Sequence, residues 1–313
     1  MNELRKELKK YGEVKCGNEL KKFTTFRIGG PADFVVSVEE TQKLVALLNY
    51  LSGEGIGYIL LGGGSNVLMS DEGFSGVVIR VKTNHLKIDG TKIIVDAGVQ
   101  LGAVVSEASK NSLTGLEWAV GIPGTIGGAV RGNAGAMGLD TGKSIESVEV
   151  WKDGEILIFS KENCGFAYRS SIFKRDGGIV LSAVLNLTPG EPAQIAKKTQ
   201  ECLIGRLGKF PTDPSAGSFF QNIKIKDWPG ELPENLPPLY RERGTVPVGW
   251  LTEQCGLKGF RVGDAGVSEI HGNFIVNYGN ATAGDVKKLV DEVKEKVYNK
   301  YGVNLITEVE IIS

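Results

Sequence analysis

Tyr168, Arg169, Ser170 and Ser171 stand together in YRSSIFK (168–174), a phenol, a guanidinium and two hydroxyls ahead of a predicted strand. An arginine so placed can grip a carboxylate or phosphate through two parallel hydrogen bonds. PSAGSFFQN (214–222) sets Ser218 between a glycine and an aromatic pair, with Asn222 four residues on. Read alone, a surface arginine and a turn serine are the commoner outcomes. Glu308 lies in LITEVEII (305–312), where strand alternation puts it on one face with Ile306 and Ile312. That face is either an edge or a site that holds the carboxylate, where burial would raise its pKa. His271, in SEIHGNFIVN (268–277), precedes an apolar strand and reads as a turn histidine or a substrate contact rather than a catalyst.

Two glycine-rich segments stand apart from these. GGGSN (62–66) follows the apolar run YILL directly, so three glycines open a strand into a loop where backbone N–H groups can converge on an anion, with Ser65 and Asn66 as further donors. A tight turn is the alternative. In GIPGTIGGAVRGNAGAMG (121–138), eight of eighteen positions are Gly or Pro, yet Ile122, Ile126, Val130 and Met137 make it apolar. A linker would be polar; this composition suits backbone packed against a flat uncharged ring and a nearby pyrophosphate, such as a flavin dinucleotide, or a buried loop between sheets. No G-x-G-x-x-G occurs in GGGSN, and GLDTGKS (138–144) is one residue short of a phosphate-binding P-loop.

Composition narrows the classes. Glycine supplies 43 of 313 residues, about twice average usage, which disfavours helical bundles and calls for a loop-based explanation. The 36 basic and 37 acidic residues nearly cancel, so no global positive field attracts nucleic acid. Four scattered cysteines and two histidines offer no ligand cluster, and no metal is expected. The charged N-terminus is no secretory signal and no uncharged run spans a bilayer, so a cytoplasmic protein with free thiols is expected.

The elements that must position these residues alternate along the chain. An amphipathic start (2–11) leads to a strand at 33–38, a helix over 41–51 ended by Gly53, and strands at 58–61 and 76–81, a β-α-β beginning. Strands at 92–96, 147–152, 155–159 and 179–187 surround a helix over 101–111 and the glycine-rich stretch 114–138, which reads as loop. A connecting helix over 191–207 precedes a Pro-rich stretch, and a helix running to Tyr301 from a capping box of Thr282 and Asp285 precedes an alternating strand at 304–312. A domain boundary is expected at about 190 to 208.

The motifs in this order resemble the UDP-N-acetylenolpyruvoylglucosamine reductases of bacterial peptidoglycan precursor synthesis. The similar stretches are TTFRIGGPAD (24–33), LGGGSNVLMSDEGFSGVVIR (61–80), GLEWAVGIPGTIGGAVRGNAGAMG (115–138), YRSSIFK, PSAGSFFQN, residues 249–277 and LITEVEI (305–311), from near residue 20 to the C-terminus. The resemblance implies the FAD-binding fold shared with vanillyl-alcohol-oxidase-type flavoproteins, with two α+β FAD-binding subdomains over 1–82 and 83–206 and an α+β substrate domain over 207–313. It implies that FAD is held by Arg27, by Gly62, Gly63, Gly64, Ser65 and Asn66, and by Ile122, Pro123, Gly124, Thr125, Gly127, Gly128 and Ala129. It places Arg169 and Glu308 beside the enolpyruvyl group with Ser218 as proton donor, and Tyr168, Lys209, Asn222 and His271 along the substrate and nicotinamide site. Gln221 stands where the family commonly has Lys, and Ile223 where Pro is usual, which bears on phosphate contacts nearby. The region after 230 resembles the shorter of two family types, which lacks an inserted substrate-clasping segment.

The implied reaction has NADPH reduce bound FAD, hydride pass to the β-carbon of the enolpyruvyl ether of UDP-N-acetylglucosamine enolpyruvate, and Ser218 protonate the α-carbon. A monomer is expected. Two other classes stay open: an oxidase on the same scaffold, and a non-catalytic flavin- or nucleotide-sugar-binding protein. Such oxidases often tether FAD through His or Cys, and neither occurs in GGGSN or 121–138.

Overall fold

The computed structural model describes residues 2–312, which fall into two compact units. The first takes in the chain up to Asn18, Ala32–Gly63 and Phe74–Arg206; the second takes in Glu19–Pro31, Gly64–Gly73 and the chain from Leu207 on. Residues 19–31 and 64–73, which lie inside the expected 1–82 subdomain, thus belong to the second unit.

In the first unit, the β-branched runs of Pro31–Val38 and Phe74–Val81 pair in parallel, and Tyr58–Leu61 pairs in parallel with the latter. Pro31–Val38 and Tyr58–Leu61, which flank Phe74–Val81 in the sheet, are joined by a crossover through helix Thr41–Gly53, with Leu44, Leu47, Leu48 and Leu51 at helical spacing and fully buried. The fourth strand, Glu13–Glu19, was not legible in the sequence: EVKCGNE is polar and mostly exposed, without an apolar face. A second sheet is antiparallel, ordered Glu155–Ser160, Ile145–Lys152, Ile179–Asn186, Lys92–Asp96 and Leu86–Asp89. One continuous apolar core, from Val36 and Leu47 through Val95 and Val104 to Val148 and Leu181, joins the stretches expected as two FAD-binding subdomains.

The glycine-rich stretch is not all loop. Residues Ile126–Gly132 form a helix in spite of three glycines, because Ile126, Ala129 and Val130 are buried. Tertiary packing outweighs local propensity here. A Cβ on Gly127 would stand 2.9 Å from that of Ala97, so a larger residue would push the helix off its support.

The second unit carries a four-stranded antiparallel sheet ordered Ser215–Ser218, Phe274–Asn277, Ala265–Val267 and Arg261–Val262. Helix Ala283–Tyr301 buries Val286, Leu289, Val290, Val293 and Val297, and starts at the expected capping box, with Asp285 N–H donating to Thr282 Oγ1 and Thr282 N–H to Asp285 Oδ2, both at 3.0 Å. A second cap comes from far away in sequence: Asp71 accepts from Ala283 N–H at 2.7 Å and Gly284 N–H at 3.0 Å.

The single strand expected over 304–312 is a correction. Only Glu310–Ile312 is a strand, parallel to Val67–Met69, and Thr307 makes an isolated bridge to Phe220. The segment changes partner midway, Glu308 N–H donating to Phe219 O and Glu310 N–H to Asn66 O, and that change interrupts the ladder.

Candidate active site

In the first unit the two glycine segments pack on each other, backbone to backbone. A Cβ on Gly62 would stand 2.5 Å from Thr125 Oγ1, and one on Gly63 only 2.9 Å from Gly124 Cα. Thr125 is 4% exposed, and the segment is fixed from behind by Leu101 N–H to Gly124 O (3.0 Å), Ile126 N–H to Val99 O (2.9 Å) and Gly127 N–H to Ala97 O (2.9 Å). A Cβ on Gly128 would meet nothing nearer than Thr125 Oγ1 at 3.9 Å, an ordinary contact. The two segments thus approach each other as only glycine permits, since a side chain on Gly62 or Gly63 would run into the opposite segment.

Tyr168 and Arg169 are the two central residues of a tight turn. Ala167 N–H donates to Ser170 O at 2.9 Å and Ser170 N–H returns to Ala167 O at 3.1 Å. Arg169 has φ 53°, the sign usual for glycine at the third position of such a turn, and a non-glycine residue there carries strain of about 1–3 kcal/mol. The turn is held by bonds the sequence did not signal. Ser171, fully buried, donates from Oγ to Arg131 O at 2.7 Å, Arg175 reaches Ser170 Oγ at 3.1 Å, and Asn133 Nδ2 donates to Ala167 O at 2.9 Å. The Arg169 guanidinium carbon lies 5.3 Å from the Tyr168 ring centre, and Tyr168 is 39% exposed.

In the second unit the candidates hang on a clamp of side-chain-to-backbone bonds. Gly217 (φ 80°) carries a register shift in the Ser215–Ser218 strand, a bulge that re-aims the half-buried Ser218. Directly after it, Asn273, 3% exposed, accepts at Oδ1 from Phe220 N–H (3.0 Å) and donates from Nδ2 to Phe220 O (2.8 Å), acting as a strand partner. Phe219 O in turn receives Glu308 N–H at 2.8 Å, and Glu308 O accepts from Asn66 Nδ2 at 3.2 Å. Ser218 and Glu308 therefore sit on adjoining segments of one hydrogen-bonded array, and Asn66 pins the glutamate's backbone. Thr25 ties the array to Gly64, with its N–H on Gly64 O (3.0 Å) and its Oγ1 on Ser215 O (2.7 Å). Arg27 is exposed on left-handed backbone (φ 56°), its carbonyl and that of Phe26 within 3.5 and 3.2 Å of Asn277 Nδ2.

The expected substrate contacts divide. Lys209 is exposed, and Asn222 spends its Oδ1 on Val248 N–H at 3.1 Å, at the start of helix Val248–Gln254. His271 packs with Phe210 and Phe274 in a three-ring cluster (ring centres 5.7 and 5.0 Å from the imidazole and 5.3 Å from each other), with Asn273 N–H donating to Nδ1 at 3.1 Å. Burial holds its pKa below the ordinary imidazole value, and Lys258 lowers it further. None of Asn133, Asn273 or Thr25 was singled out from the sequence; asparagines inside conspicuous motifs were the available signal.

Comparison with known proteins identifies the family. Residues 32–160 match the model of an FAD binding domain, and residues 210–312 that of the UDP-N-acetylenolpyruvoylglucosamine reductase C-terminal domain. The chain is 39% identical over 310 residues to the UDP-N-acetylenolpyruvoylglucosamine reductase of Caldanaerobacter subterraneus, covering 98% of this chain and 96% of that protein. It is 40% identical over 302 residues to that of Clostridium tetani, covering 96% and 92%. The crystal structure of UDP-N-acetylenolpyruvylglucosamine reductase from Thermus caldophilus superposes with a TM-score of 0.77 at 36% identity, covering 96% of this chain and 98% of that one. An α+β FAD-binding fold of the vanillyl-alcohol-oxidase type, with bare-backbone glycine segments, defines an FAD-dependent oxidoreductase. Within that class, the chain belongs to the UDP-N-acetylenolpyruvoylglucosamine reductase family. Among the described residues no helix is long and apolar enough to cross a membrane.

Proposed function

We infer that the protein catalyses the NADPH-dependent reduction, through bound FAD, of UDP-N-acetylglucosamine enolpyruvate to UDP-N-acetylmuramate in peptidoglycan precursor synthesis. The observation that carries this reading is the pair of glycine segments pressed together in a chain that aligns over almost its whole length with reductases of this name. The cofactor-holding residues are Arg27, Gly62 to Asn66 and Ile122 to Ala129, in the proposed FAD-binding stretches 1–82 and 83–206; 207–313 contributes substrate binding. FAD, when bound, supplies the hydride chemistry that no side chain can.

The protein's own task is electrostatic. Hydride delivery to the β-carbon leaves negative charge on the α-carbon and its carboxylate. Arg169 stabilises that charge with two parallel hydrogen bonds, and Glu308 orients the same carboxylate. Ser218 then gives its proton to the α-carbon. A serine hydroxyl is a weak acid, so this transfer follows charge development rather than preceding it. Tyr168, Lys209, Asn222 and His271 contact the substrate and nicotinamide. NADPH is the reductant, and the enzyme is a cytoplasmic monomer.

An anaerobic visible spectrum tests this in one cuvette. NADPH should bleach the flavin bands, and UDP-N-acetylglucosamine enolpyruvate should restore them. Recovery only on admitting air would move the assignment to an oxidase; a protein that cannot be loaded with FAD would remove the basis of the reading.

A further inference from the structure

Asn133 caps the helix Ile126–Gly132 in left-handed backbone (φ 44°), where asparagine is the usual substitute for glycine. A capping role needs no side chain, yet this one is 3% exposed and uses both ends of its amide. Oδ1 accepts from Gly142 N–H at 2.9 Å, and Nδ2 donates to Ala167 O at 2.9 Å. Ala167 O is the same carbonyl that closes the turn through Ser170 N–H. Gly142 in turn lies flush on Phe166, whose ring a Cβ would meet at 2.7 Å. One amide thus bonds the end of the glycine-segment helix, the backbone of Gly142 and the turn carrying Arg169. Only asparagine meets the three demands together: tolerance of left-handed backbone, a donor and an acceptor on one short side chain.

We propose that Asn133 is the positioning residue for Arg169, locking the 167–170 turn so that the guanidinium stands where the enolpyruvyl carboxylate gains charge. The proposal rests on the reaction given above. Strain at Arg169 makes such a lock necessary, since left-handed arginine persists only where surrounding bonds over-determine it. Asn133 itself touches neither reactant in this role; it acts through the turn.

Two variants separate the lock from the cap. Asn133→Gly keeps the left-handed backbone and removes both side-chain bonds; Asn133→Asp keeps shape and acceptor but turns the donor into an oxygen facing Ala167 O. In both, NADPH should bleach the flavin within about twofold of the wild-type rate, whereas recovery with UDP-N-acetylglucosamine enolpyruvate should slow by about ten- to a hundredfold, the scale of an ångström's misplacement. Affinity for UDP-N-acetylmuramate, read from its perturbation of the oxidised flavin spectrum, should weaken in parallel. Placed on Arg169→Ala, Asn133→Gly should add less than about twofold, because a positioning residue has nothing left to position. Equal slowing of both half-reactions, or full additivity with Arg169→Ala, would overturn the proposal. Ser171→Ala, which removes only the tie to Arg131 O, should give the same split at smaller size, and it carries the test if Asn133→Gly fails to retain FAD. Should Ser171→Ala then slow both halves alike, the assignment falls. A wild-type enzyme whose bleached flavin the enolpyruvyl sugar cannot restore overturns the reaction itself, before any variant is compared.

Discussion

The two units hold their candidate residues by opposite means. In the first, Gly62 and Gly63 lie against Gly124 and Thr125, and the close approach is made by leaving side chains out. In the second, Ser218 and Glu308 are aimed by side chains put in: Asn273 clasps Phe220 at both its N–H and its carbonyl, and Asn66 holds Glu308 O. A cradle of backbone fails when an atom is added; a clamp of hydrogen bonds fails when one is removed. The contrast predicts which half-reaction each change reaches, and variants can break it.

The largest effect is expected at Ser218. Ser218→Ala should slow recovery of the bleached flavin with the enolpyruvyl sugar by about 10²–10⁴-fold, the usual contribution of a positioned proton donor, while NADPH-driven bleaching stays intact. Stopped-flow spectra of both halves measure this, and loss of both rates in a folded, FAD-loaded variant would remove Ser218 from the mechanism. Next comes the cradle. Gly63→Ala sets a Cβ against the Gly124 backbone, which cannot turn aside, and should cost about 1–3 kcal/mol with at least a tenfold loss of FAD affinity by fluorescence titration. Gly62→Ala meets instead a threonine hydroxyl. Adding Thr125→Ala should rescue Gly62→Ala but not Gly63→Ala, and equal rescue would show that the tight contacts are not what shapes the cradle.

The same contrast decides what was legible in the sequence. The apolar runs at 33–38, 58–61 and 92–96 announced their strands, since burial imposes a period that composition displays. The cradle was legible as glycine content, although the helix Ile126–Gly132 inside it was not: its three glycines argue against helix locally, and only packing on Ala97 reverses that. Glu13–Glu19 is a polar edge strand without an alternating apolar face, so no pattern marked it. The split of 304–312 was hidden because alternation records which side is buried and not which strand lies alongside. Arg169, Ser218 and Glu308 stood out as residue types in motifs, whereas Asn133 and Asn273 did not, because a positioning amide is defined by what lies across from it in space.

Removing a clamp far from the chemistry should be milder. Asp71→Ala frees the N–H groups of Ala283 and Gly284 at the head of a 19-residue helix, for a loss of about 1–2 kcal/mol. Thermal unfolding of the second unit should move down by a few degrees while the flavin spectrum and both half-reactions stay as in wild type. An unchanged melting temperature would mean that the Thr282 and Asp285 capping box alone holds that helix end.

The smallest expected effect is a pH dependence centred on His271. Its folded-state pKa lies below the ordinary imidazole value because burial against Phe210 and Phe274 penalises the charged ring, with Lys258 adding repulsion. In the window between the folded pKa and the unfolded one near 6.5, the unfolded chain binds more protons than the native one. Stability contributed by the neutral ring is therefore fully present above that window and is lost as pH falls through it. Denaturant midpoints measured from pH 8 to pH 5 should decline more steeply in the wild type than in His271→Gln, which cannot titrate. Identical slopes would mean that the ring is solvated enough to protonate without penalty.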